Sequence, residues 1–71
     1  MSLDKKTLEL VAIGASVAAC CEPCLEFHVK AAREAGATPA EICKAIKMAE
    51  KVRQVPIDKM NRKCEKLNLG D

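Results

Sequence analysis

The sequence predicts an all-α protein, a small bundle of about four helices. Three observations point there. Apolar residues recur at spacings of three and four, and no stretch alternates as a strand would. Pro23, Pro39 and Pro56 each suit the first turn of a helix, where the missing N–H costs nothing. Ala, Leu, Glu and Lys dominate the 71 residues, while Gly and Pro total six.

The first helix is expected over residues 4–19. It is apolar almost all round after Leu10 and rich in small residues: Ala12, Gly14, Ala15, Ser16, Ala18 and Ala19. Such a helix needs burial on most sides. The second is expected over 22–35, opened near Pro23 and closed by Gly36. The third, over 39–53, has the clearest start: Thr38 as N-cap, Pro39 in the first turn and Glu41 at the capping-box position. Its face carries Ile42, Ala45, Ile46, Ala49 and Val52. The fourth is expected over 56–67, opened by Pro56. Its single narrow stripe of Ile57, Met60, Cys64 and Leu67 suits a seam against another helix, in this chain or a second copy.

One domain, residues 1–71, is all that this length supports. A chain so short buries only roughly 60% of its unfolded surface, so a staple, a metal or self-association is expected to help. With one Phe and no Trp or Tyr there is no platform for stacking bases, which argues against nucleic acid as a partner. Charge is uneven: residues 44–71 carry eight Lys/Arg against four Asp/Glu, and residues 1–43 four against six. The basic end reads as a solvated helix face. The apolar run Leu10–Cys21 is too short to span a membrane, which takes about twenty residues. Val17-Ala18-Ala19-Cys20 mimics a lipoprotein cleavage box, but Asp4 and Glu9 stand where such signals avoid acids. Five cysteines in a helix-rich chain point to a reducing cytoplasm, where clustered thiols serve redox chemistry or metals.

The chemistry is concentrated in Cys20-Cys21-Glu22-Pro23-Cys24-Leu25-Glu26-Phe27-His28. Cys21, Cys24 and His28 fall within about 60° of one another on a helix face. The Cys pair lies in the first turn, where unpaired N–H groups stabilise a thiolate. His28, one turn further in, can take or return a proton. Together they form a candidate dithiol–disulfide site. Glu9 is the one acid in the apolar first helix and needs a partner. A hairpin turning near residue 20 brings it back towards His28, leaving a few ångströms to be closed by a tilted crossing, a water or a second subunit. Cys20, Cys43 and Cys64 read as small packed residues.

Glu9, eleven residues, Cys21, two residues, Cys24, three residues, His28 resembles the signature of the carboxymuconolactone decarboxylase-like family, in particular its AhpD-type alkylhydroperoxidase branch. The continuation from His28-Val29-Lys30-Ala31-Ala32 through Ala35-Gly36-Ala37-Thr38 to Glu41-Ile42 is also similar. The resemblance covers about residues 5–53. It implies a helical homo-oligomer whose two cysteines cycle between dithiol and disulfide, with Cys24 attacking, Cys21 resolving, and His28 with Glu9 relaying protons. The implied activity is that of a thiol–disulfide oxidoreductase acting on a disulfide or a peroxide, with no cofactor beyond the cysteine pair. Pro23 departs from the peroxidase pattern, which often has a His there. The decarboxylases that name the family lack the Cys pair. The spare thiols leave a second reading open, in which Cys20 or Cys43 joins the pair to hold zinc or an iron–sulfur cluster.

Overall fold

The computed structural model describes residues 2–67 and consists of three α-helices: α1 over Lys5–Ala18, α2 over Glu22–Glu34 and α3 over Pro39–Lys66. Helix α1 lies between the other two and packs against both. Asp4 caps α1, its carboxylate accepting from the Thr7 N–H at 2.7 Å. Thr38 caps α3 in a reciprocal box: its hydroxyl accepts from the Glu41 N–H at 3.1 Å, and the Glu41 carboxylate accepts from the Thr38 N–H at 2.8 Å. This is the start that the sequence predicts.

The expected fourth helix is absent as a separate element. Residues 39–53 and 56–67 form one helix of 28 residues with Pro56 in its interior. The difference between Pro56 and the other two prolines lies in what precedes them. Pro39 follows a Thr that caps, and Pro23 follows the capping Cys21 by two residues. Pro56 follows Gln54 and Val55, neither placed to cap, and no glycine closes the preceding turns. With no stop and no start, the helix continues at the cost of one backbone bond.

Both interhelical turns close in the same way. The Cys21 N–H reaches back to the Ser16 carbonyl and the Ala37 N–H to the Ala32 carbonyl, each at 2.9 Å. This six-to-one closure needs a left-handed residue in between. Gly36 supplies it in the second turn at φ 96°, and Cys20 in the first at φ 56°. A side chain in that conformation costs roughly 1–2 kcal/mol, which Gly avoids.

The core is small. Ile13, Ala32, Ala37 and Ile42 are buried together, with Leu10, Leu25, Val29, Ala45 and Ile46 packed round them. Among the described residues, Ile13 is the one large side chain with no exposure. Gly14 lets α3 come close, facing the Ala45 carbonyl and the Ala49 methyl. Every residue from 50 to 67 is exposed, so the second half of α3 projects beyond the bundle. The stripe of Ile57, Met60 and Leu67 lies open there, and Leu8 and Val11 of α1 are open as well. Cys20, Cys43 and Cys64 are exposed rather than packed. Helical spacing put Cys43 and Cys64 on apolar faces, but those faces leave them exposed, and Cys20 stands in the turn after α1.

Candidate functional site

Cys21 is the residue that caps α2, and Cys24 lies one turn inside it. A capping residue has extended backbone, and here φ is −104° and ψ 98°. That geometry points its side chain back over the first turn, where the Cys21 sulfur accepts from the Cys24 N–H at 3.3 Å. The same geometry brings the two sulfurs together. Cys21 and Cys24 form a disulfide, with Cα atoms 5.3 Å apart. Pro23 fixes the first turn between them. Of the pair, Cys24 is exposed and Cys21 half-buried.

His28 follows one turn later on the same side of α2. Its Nδ1 lies 2.7 Å from Oε2 of Glu9, whose residue as a whole is 6% exposed. The helix crossing closes the gap between them by direct contact, with no water or second subunit. An ionised carboxylate can only accept, so Nδ1 carries a proton and donates, and in the neutral ring Nε2 is then the acceptor. The bond from His28, and then that from Lys5, hold the Glu9 carboxyl below its ordinary value of 4.5, against a smaller upward push from burial. Phe27 packs edge-on to the imidazole at 5.0 Å between ring centres, restricting its rotation.

Cys21, Cys24 and His28 line one cavity of about 280 Å³ with Ala12, Ala15, Ser16 and Ala19 of α1. The alanines of α1 therefore serve as the low wall of the site. Ser16 adds no free donor to it, because its hydroxyl bonds the Ala12 carbonyl at 2.7 Å. Glu9 reaches His28 from behind, outside the cavity lining. All four residues singled out in the sequence are thus brought together: a disulfide, an imidazole beside it, and a carboxylate orienting the imidazole.

Two further residues escape a motif reading. Lys5 pairs with the second oxygen of Glu9 at 2.9 Å, one helical turn before it, an i to i+4 spacing visible in the sequence. Arg53 donates to the sulfur of Cys20 at 3.0 Å, tying α3 to the turn that precedes the disulfide. No local pattern signals a contact across 33 residues. Among the described residues, no group of three or more His, Cys, Asp or Glu side chains is placed to hold a metal ion. The cysteines that a cluster would recruit are dispersed: Cys43 and Cys64 lie on α3, and Cys20 is engaged by Arg53.

The fold and site define a helical protein with a disulfide-forming cysteine pair at a helix N-terminus and an imidazole–carboxylate couple behind it. The chain belongs to the carboxymuconolactone decarboxylase family, whose sequence model matches residues 1–57. A relative from Paracoccus denitrificans, described as uncharacterized protein 4 in cox locus, is 42% identical over 52 residues. The match takes in 73% of this chain and 47% of the relative, so the chain spans about half the length of the curated relative it matches. No solved structure gives a significant match.

Proposed function

We propose that the protein is a thiol–disulfide oxidoreductase in which Cys21 and Cys24 cycle between dithiol and disulfide. The observation that carries this reading is the cavity that unites the Cys21–Cys24 disulfide with the imidazole of His28, itself held by Glu9. In the reducing half-reaction an incoming thiolate attacks the exposed sulfur of Cys24. The S–S bond breaks and Cys21 leaves as a thiolate at the head of α2, where the Cys24 N–H already points at its sulfur. At Nε2, His28 takes the proton lost by the donor thiol and passes it to Cys21. A second thiol of the donor then releases Cys24, and the donor becomes a disulfide.

In the other direction the Cys24 thiolate attacks a substrate disulfide and expels one thiolate, forming a mixed disulfide. Cys21, deprotonated by His28 at Nε2, attacks Cys24 and expels the second thiol. A hydroperoxide is the other acceptor the family suggests: two electrons from the dithiol yield an alcohol and water. The solvent-reached position of Cys24 supports its role as the attacked and attacking sulfur, and the half-buried Cys21 suits the resolving role. Replacing Cys24 by Ser should abolish turnover in a thiol–disulfide assay; full activity in that variant would overturn the assignment.

We also propose that the working form is a homo-oligomer in a reducing compartment. The chain exposes 5642 Å². A compact monomer of 7.7 kDa exposes about 4,300 Å². The excess, about 1,300 Å², is more than the roughly 800 Å² that one partner buries in a standard interface. Apolar side chains stand open in two places. One place is the groove of about 520 Å³ between α1 and α3, lined by Leu10, Val11, Met48 and Val52 among others. The other is the projecting half of α3, with Ile57, Met60 and Leu67. Sedimentation at micromolar concentration tests this, and a stable monomer would refute it. No described helix is long and apolar enough to cross a membrane.

A further inference from the structure

We infer that Lys5 is a positioning residue of the site: it anchors one oxygen of Glu9 so that the other holds His28 in its Nδ1–H form, and its charge disfavours a second proton on the imidazole. This inference rests on the oxidoreductase reading for its purpose, and on geometry for its substance. Glu9 divides its two oxygens between two partners. Oε1 meets the Lys5 ammonium at 2.9 Å, and Oε2 meets His28 Nδ1 at 2.7 Å. Lys5 is the first residue of α1 and Glu9 lies one turn on, so the lysine reaches the carboxylate from the end of the bundle opposite the disulfide turn. The neighbouring Lys6 does not share the task, because it turns to Glu41 on α3 at 3.1 Å.

A carboxylate beside a single imidazole has two effects that work against each other. It orients the ring, and it stabilises the imidazolium. A base that is already protonated cannot deprotonate a thiol, so the second effect works against turnover near neutral pH. A second cation on the same carboxylate separates the two effects. The orientation stays, because Oε1 is pinned and Oε2 cannot swing away. The pull on the second proton weakens, because a positive charge stands across the carboxylate from the ring. Lys5 on α1 and His28 on α2 are the charged or titratable side chains acting on Glu9. The two short contacts and the width of a carboxylate put the Lys5 and His28 charges about 6 Å apart. At that separation, with the lysine side chain 71% exposed and water screening it, one unit charge moves a titration by about half a pH unit.

The chain has a single histidine, so imidazole ¹⁵N resonances report His28 alone. Their pH titration should be followed in the parent, in Lys5→Met and in Lys5→Arg, with helicity compared by circular dichroism. In Lys5→Met the midpoint should move up by about half a pH unit, and the neutral ring should lose part of its Nδ1–H population. Lys5→Arg should restore both, since it returns the charge. The pH–rate profile of Lys5→Met should move to higher pH by the same amount. An unchanged or lowered midpoint in Lys5→Met, or an arginine variant that behaves like the methionine one, would overturn the inference. The two readings fail separately. A parent chain without thiol–disulfide turnover removes the oxidoreductase reading and leaves the titration result standing.

Discussion

Replacing Ile13 by Ala should cost about 3–4 kcal/mol of stability. Ile13 is fully buried, and it sits where α1 meets Ala32 of α2 and Ile42 of α3. The substitution removes three buried carbons, about 2.4 kcal/mol in lost transfer free energy at about 0.8 each. A cavity term adds to this, because the neighbours are alanines and short aliphatics that cannot reach into the space. A chain of this length has a total stability of about 4–11 kcal/mol. The loss is therefore a large share of the whole, and a drop in melting temperature of roughly 15–25 °C is expected. Circular dichroism at 222 nm during urea and thermal unfolding, at fixed protein concentration, measures it. Ile13 lies one turn beyond Glu9, so the variant should also loosen the Glu9–His28 contact and slow turnover at temperatures where it remains folded. A loss below about 1 kcal/mol would refute the reasoning, because α1 would then not be the element that joins the other two.

Three other outcomes follow from the same geometry. Glu9→Gln and His28→Gln should each slow turnover roughly 10²-fold with the fold retained, read from steady-state rates and helicity; undiminished rates would reduce both to structural residues. Stability should fall on acidification. Glu9 is held below its ordinary value chiefly by His28, Asp4 by Thr7, and Glu41 by the Thr38 N–H and then Lys6. Carboxyls lowered on folding contribute stability above their unfolded values, 4.5 for Glu and 3.8 for Asp. They lose it as pH falls through the folded values, so the urea midpoint should decline below about pH 5. Pro56→Ala restores the N–H that Pro56 cannot offer to the Val52 carbonyl. It should raise amide-exchange protection around residues 56–60, and unchanged protection would mean that the chain does not run as one helix there.

Much of this was legible because its causes are local. The box at Thr38 and Glu41 depends on residues three apart, and the structure closes it as the sequence implies. The grouping of Cys21, Cys24 and His28 follows from helical spacing alone, and the three do share a cavity. What sequence leaves open depends on tertiary context. Pro56 reads as a helix start because proline usually is one, yet a start also needs a cap, and Val55 is none. Cys43 and Cys64 read as core because they keep helical register with apolar residues. Register defines a face, and only a neighbouring element decides whether the face is buried. The distance from Glu9 to His28 depends on how α1 and α2 cross, which spacing does not determine. Arg53 meets Cys20 only because α3 runs alongside α1 to the level of the first turn. Cys20 in the left-handed position of that turn, where Gly36 serves in the next, has no sequence signal at all.

The central claim is that Cys21 and Cys24 exchange electrons with substrate as a pair. Thiol trapping tests it most directly. The reduced protein is mixed with one equivalent of a disulfide or an alkyl hydroperoxide, quenched with an alkylating agent over time, and mapped by mass spectrometry. The account predicts that Cys21 and Cys24 lose their labels together, at the rate at which substrate is reduced, while Cys20, Cys43 and Cys64 stay labelled. Substrate reduction with both Cys21 and Cys24 still alkylated would contradict it.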